Sequence, residues 1–248
     1  MSLHMKAKVM KYSLITCSNS CIAKSIINEL EKNDYAVTLA TRTPVNDEYQ
    51  LDLFDKESIS RVISLFISNK KQFDSFVFVL PRIPPSTNIF PTTEQWNDNF
   101  DKYFIKPMFF LSELINNKIL NDNAKIVMIS GISSKFAMPC YSVNNVIRSA
   151  WIGQFKTLAL SLSSMSFNTV SLGGVLTESY VSKLKQKAHE TGRTYEQQLI
   201  DEVSNVPMKK YATPQEVAQV VVPLCGSFAS HLTGQNIVLD GGFIRAYA

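Results

Sequence analysis

The sequence predicts an open, doubly wound α/β fold: one domain across all 248 residues, with a seven-stranded parallel sheet and helices on both faces. Short apolar, β-branched runs, of which Ala124 to Ile129 is the clearest, have the unbroken hydrophobicity of strands covered on both sides. They alternate with longer segments whose apolar residues recur at helical spacing. A third observation locates the chemistry. Ala124 to Arg148 reads as a buried strand, a Ser/Gly loop that turns back, and a helix beginning near Tyr141. Tyr141 and Asn145, four apart, then share a helix face above the strand end, where open α/β sheets bind ligands.

In chain order, Lys11 to Thr16 is the first strand and Ile22 to Lys32 the helix after it, joined by the turn Thr16-Cys17-Ser18-Asn19-Ser20-Cys21. Tyr35 to Thr41 is the second strand, ending at Arg42, and Gln50 to Leu53 the third. Ile59 to Ile67 has helical spacing, and Asp74 to Leu80 is the fourth strand. Four prolines stiffen Pro81 to Pro91 at the same sheet edge, before a long amphipathic helix over Phe100 to Ile119. Val146 to Leu162 continues the central helix with Trp151, Phe155, Leu158 and Leu162 on one stripe, and Asn168 to Ser171 is the sixth strand. Glu178 to Val206 is a polar, helical, lid-like insertion. Pro214 opens a helix with a carboxylate in its first turn, and the last strand lies around Ile237 to Leu239.

A chain of this length buries a substantial core, and 45% hydrophobic against 19% charged residues excludes a disordered chain. The net charge of +4 comes from scattered lysines rather than a stripe, so no nucleic-acid partner is expected. No apolar run has membrane-spanning length and the N-terminus has no secretory pattern; no membrane partner and a cytoplasmic location are expected. Met1 to Met5 reads as an artificial leader with Met5 the native start. Four cysteines are too few for a disulfide scaffold. Cys17 and Cys21 share no motif with His4, His189 or His231, so no metal is expected, and small unreactive thiols are expected rather than a redox pair.

The stretch around Tyr141 resembles the catalytic strand, loop and helix of the short-chain dehydrogenase/reductase family, in particular its 3-oxoacyl-ACP reductase-like members. There a loop Ser and Tyr-x-x-x-Lys transfer a proton while NAD(P)H transfers a hydride. The resemblance implies a Rossmann-like fold and extends over nearly the whole chain. It is strongest at His231-Leu232-Thr233-Gly234-Gln235-Asn236 and the Asp240-Gly241-Gly242 that follows, which implies fold and assembly. It places Thr16, Ser18 and Asn19 on the cofactor phosphates, Arg42 on the 2′-phosphate of NADP, Asp52 on adenine and Thr177 on the nicotinamide amide. It also implies pairing through Phe100 to Ile119 and Val146 to Leu162, giving a homodimer or homotetramer.

The chain departs from the family where chemistry is done. Asn145 stands at the Lys position and Gly131 at the Ser position, with Ser130, Ser133 and Ser134 beside it. A free Tyr, with a pKa near ~10, needs a cation nearby to transfer protons at neutral pH, and Asn carries none. Arg148, seven residues on, is expected as a solvated helix arginine, and it is the one candidate to replace the charge. Cys17, Cys21 and Ala23 replace the loop glycines that let backbone approach a pyrophosphate. Phe78-Val79-Leu80-Pro81 replaces Asn-Asn-Ala-Gly, and Tyr103 replaces a structural Asn, as if to fill the space left by the Lys. These changes predict a narrowed nucleotide crevice and a non-catalytic member, binding no cofactor, that serves as a partner or binding subunit, also in a hetero-oligomer with an active relative. The alternative is an NADP(H)-dependent oxidoreductase acting on a carbonyl or alcohol, its site rebuilt around Tyr141 with Ser130 or Ser133. A third expectation, a cofactor-free lyase or isomerase, also uses Tyr141.

Overall fold

The computed structural model describes residues 10–86 and 88–246. The expected leader at Met1 to Met5, and His4 with it, lie outside the described residues. The strands are β1 (Lys11–Thr16), β2 (Tyr35–Thr41), β3 (Tyr49–Gln50), β4 (Phe73–Val79), β5 (Leu120–Gly131), β6 (Ser166–Leu172) and β7 (Asn236–Leu239). All pair in parallel in the order β3-β2-β1-β4-β5-β6-β7. The order reverses between β1 and β4, which opens a crevice at the C-terminal edge of the sheet.

The helices are α1 (Cys21–Lys32), α2 (Lys56–Ser68), α3 (Thr93–Phe100), α4 (Lys106–Asn116), α5 (Ser142–Ser161), α6 (Glu178–Glu190), α7 (Tyr195–Glu202) and α8 (Pro214–Leu224). Side chains alternate across the pleat, so each central strand feeds two cores. Phe76 and Phe78 of β4 join Phe110, Trp151, Phe155 and Phe167 on one face. Val77 and Val79 join Ile15, Ile129, Leu30 and Val221 on the other, under α1 and α8. One layer is aromatic, with Phe78 meeting Trp151 edge-on at 5.5 Å; the other is aliphatic.

Helix starts follow their caps. Ser20 accepts from the Ala23 N–H, Asp55 from Glu57 and Ser58, and Thr213 forms a capping box with Glu216 beside Pro214. The helix expected over Phe100 to Ile119 begins earlier, because Thr92 and Gln95 form a further capping box, and it is divided. Asp101–Ile105 is a π-helical turn between α3 and α4, the kind of one-residue expansion that recurs at functional sites. The third strand is shorter than expected: Leu51 and Leu53 bury themselves as anchors of a turn in which Asp52 accepts from the Phe54 N–H. Among the described residues no helix is long and apolar enough to cross a membrane, and no cluster of three or more His, Cys, Asp or Glu could hold a metal.

Candidate active site

Two cavities lie along the C-terminal edge, divided at Pro81 and Arg82. Pro81 lines the smaller, about 250 Å³, and Arg82 the larger, about 720 Å³.

The smaller cavity is walled by the β1–α1 turn and the ends of β2 and β3. Cys17 adopts φ 51°, a left-handed conformation that favours glycine, so the turn keeps a glycine's backbone shape with a thiol on it. That thiol packs against both cores, and burial pushes its pKa up to about 11, with Arg42 pulling down and Asp52 pushing up. Arg42, Asp52 and Asn19 all line this cavity, and Asn19 donates to the Thr43 carbonyl at 2.7 Å. Ser18 is buried and donates to Glu48 at 2.9 Å, whose second oxygen accepts from the Val45 N–H. The 43–48 loop is thereby strapped to the turn. Thr16 is wholly buried and donates to the Val79 carbonyl at 2.7 Å, tying β1 to β4.

The larger cavity gathers Tyr141, Arg148, Gly131, Ser130, Thr177 and Arg82. Tyr141 is the residue before α5, bridged to Ser86 of the 81–91 loop. Arg148 lies two turns along α5 and is not a solvated arginine. Its Nη1 donates to Ser133 at 2.8 Å, and its guanidinium sits over Gly131. A Cβ on Gly131 would be 2.5 Å from Nη1 and 2.8 Å from Cζ, so the guanidinium occupies the space of any side chain there. Burial lowers its hold on its proton; neighbouring Tyr141 favours the charge and Arg82 opposes it. Asn145 turns away, accepting from the Met138 N–H at 3.3 Å and donating to the Met138 carbonyl at 3.1 Å.

On the far wall Thr177 caps α6, and the Tyr211 ring lies against Gly174, where a Cβ would collide with it. Tyr180 donates to Glu202, and Tyr211 donates to the Glu202 carbonyl, joining α6, α7 and the 203–213 segment into one cover. Burial, foremost, raises the pKa of both tyrosines, so both phenols stay protonated.

The enoyl-(acyl carrier protein) reductase family profile matches residues 21–244. The chain is a short-chain dehydrogenase/reductase. Among its relatives, the 3-oxoacyl-[acyl-carrier-protein] reductase of Thermotoga maritima is 25% identical over 201 residues, 80% of this chain and 77% of that one. The L-sorbose reductase of Gluconobacter frateurii, solved with NADPH and L-sorbose, superposes with a TM-score of 0.85 at 20% identity, over 96% and 98% of the two chains. An NADPH-bound short-chain oxidoreductase of Pseudomonas aeruginosa PAO1, described as containing an atypical catalytic centre, superposes at 0.81 with 15% identity, over 96% and 98%.

As a short-chain dehydrogenase/reductase, this chain differs from the sequence expectations at named places. The crevice is not filled: Phe78 faces Trp151 in the core, because the alternation of β4 turns it away from the edge. Tyr103 does not fill a space left by lysine. Its ring meets Phe54 at 5.2 Å, and its carbonyl, in the π turn, accepts from the Trp151 indole at 2.8 Å. Thr16 is spent on strand pairing, and Ser133 reaches the cleft only through Arg148. Ser130, Tyr141 and Thr177 do meet in one cleft, while Asn19, Arg42 and Asp52 meet in the other. Arg82, Glu48 and Tyr211 were not singled out from the sequence. A lone charge in a proline-rich loop carries no local signal of the cleft it faces.

Proposed function

We propose that the chain is an NADP(H)-dependent oxidoreductase acting on a carbonyl or alcohol, with Tyr141 as proton-transfer group and Arg148 in place of both missing partners. The observation that carries this reading is the guanidinium over Gly131, bound to Ser133 and beside Tyr141. A cation with unspent N–H donors beside Gly131, the position the resemblance aligns with the family's serine, supports this role.

The residues at the edge fit the dinucleotide. Cys17 preserves the left-handed turn, α1 presents its N-terminus, and Ser20 uses only the Ala23 N–H of its first turn. Arg42 and Asp52 flank an open cavity for the adenosine end, with Asn19 on its wall and Ser18 behind it. NADPH, when bound, supplies the hydride. Tyr141 delivers the proton from its Oη to the carbonyl oxygen, and Arg148 stabilises the charge developing there, a contribution of the oxyanion-hole type. Ser133 keeps the guanidinium in place, Asn145 holds the 138 loop over the cleft, and Thr177 edges the nicotinamide side. NADPH-bound short-chain relatives of the same fold, one with an atypical centre, support the reading. Exposed Ile105, Val146 and Leu160 support self-association through the helices flanking the π turn and α5.

A non-catalytic partner subunit is favoured by two observations: Ser18 is already bonded to Glu48, and Asn145 is withdrawn from the cleft. NADPH fluorescence titration separates the two. Micromolar binding, with turnover of a carbonyl panel that Tyr141→Phe abolishes, is the expected result. Failure of both NADPH and NADH to bind overturns it and leaves the partner subunit.

A further inference from the structure

The larger cleft carries charges that hydride transfer to a neutral carbonyl does not need. Arg82, Arg148 and Lys183 line it, with Asp201, Glu202 and Asp240. The acids are occupied. Asp201 pairs with Arg193; Glu202 accepts from Tyr180 and pairs with Lys187 at 3.6 Å; Asp240 accepts from the Gly242 and Ile244 N–H groups, each at 2.8 Å. The cations are not: Arg82 and Lys183 have no carboxylate partner among the described residues, and Arg148 bonds only the neutral Ser133. The Arg82 side chain is exposed, and the backbone beside it is anchored. Asn144, fully buried, donates to the Ile83 carbonyl at 2.9 Å, and the Ser86 N–H donates to the Cys140 carbonyl at 2.9 Å. The loop carrying Arg82 is thus stitched at two points to the segment around Tyr141, once at Cys140 before α5 and once at Asn144 in its first turn.

We infer that the cleft takes an anionic carbonyl substrate, an oxo acid, with its carboxylate on Arg82 and its carbonyl between Tyr141 and Arg148. The inference rests on the oxidoreductase reading above and specifies its substrate class. Burial disfavours the charge on Arg148, with Tyr141 favouring it and Arg82 opposing it, so an anion between the two guanidiniums adds a favourable partner to both. A guanidinium binds a carboxylate through two parallel N–H bonds, which fixes orientation as well as charge. Ile132, Met138, Val206 and Phe243 line the same cleft and suit an apolar body on the acid. Arg82 lies on the far side of Pro81 from the Arg42 cavity, on the reaction side of the divide rather than the adenosine side.

The test compares charged and neutral partners of one shape. Rates with NADPH are measured for 4-phenyl-2-oxobutanoate and its ethyl ester, and calorimetry compares 4-phenylbutanoate with 4-phenylbutanamide. A charge-assisted contact predicts a preference for each acid of about 10- to 100-fold. Arg82→Gln should collapse that preference, and Arg82→Lys should restore part of it, with the dissociation constant of NADPH unchanged in both. Equal binding of acid and amide overturns the inference. So does an Arg82→Gln variant that weakens NADPH while keeping the acid preference, since Arg82 would then serve the coenzyme. Because the calorimetric pair is not turned over, loss of the acid site is read separately from loss of oxidoreductase activity.

Discussion

The two ends of the crevice have departed from the family in opposite ways. At the adenosine end the residues changed and the shape stayed. Cys17 holds a left-handed turn that glycine would hold more easily, and Ser20 still caps α1. At the reaction end the position four after Tyr141 holds the neutral Asn145, while Arg148, seven after Tyr141, reaches back over Gly131 and in the proposed reading supplies the charge. A phosphate cradle is defined by where its backbone N–H groups point, so any residue that tolerates the turn suffices. A proton-transfer site is defined by where its charge lies, so a longer arm from another position can serve.

Tyr141→Phe tests the reaction end most severely. Turnover should fall about 10²- to 10⁴-fold with the NADPH dissociation constant unchanged, the signature of a lost proton-transfer group. Arg148→Ala should cost about 10²- to 10³-fold in kcat. Gly131→Ala should cost nearly as much without unfolding the protein, because its Cβ displaces only the end of the Arg148 side chain. The double variant should lose no more than Arg148→Ala alone, and additive losses would show that Gly131 acts in some other way. At the adenosine end, Arg42→Ala should weaken NADPH about 10-fold and NADH little, read by fluorescence titration; equal weakening would remove Arg42 from the 2′-phosphate.

The smallest effect at neutral pH concerns the thiols. Burial pushes Cys17 and Cys225 up to about 11 and about 12 from 9.0. Below pH 9 both folded and unfolded chains hold these protons, so the contribution to stability is complete. Above it the unfolded chain releases them first, so stability falls with pH by up to about 1.4 kcal/mol per pH unit for each group. A melting temperature that drops from pH 9 to 11, less steeply in Cys17→Ser, checks this. Iodoacetamide at pH 8 should label exposed Cys140 well before Cys17.

The sheet was legible because strands buried on both faces announce themselves by composition. β1 and β2 lie where Lys11 to Thr16 and Tyr35 to Thr41 were expected. Caps were readable too, but α3 starts ahead of the expected helix, because the Thr92–Gln95 box opens a largely polar stretch whose apolar face is only Trp96 and Phe100. The site was legible as a list of residues and not as a set of contacts. Tyr141 lines the larger cavity, and Arg42 and Asp52 line the smaller. A motif position does not place Phe78 at the cleft, because strand alternation decides which face a side chain serves. Arg148 was read as solvated because helical spacing gives its face and not its reach. Arg82 was invisible because its placement depends on Asn144, a residue on another element.

Gly131 also bears on how the site can be rebuilt. The guanidinium lies where a hydroxymethyl group would have to go, but it is the tip of a flexible arm, so a serine at 131 moves the arginine aside rather than being shut out. One volume thus serves either a hydroxyl carried by position 131 or a guanidinium carried by position 148. Gly131→Ser, made with and without Arg148→Ala, would show which occupant the cleft works with.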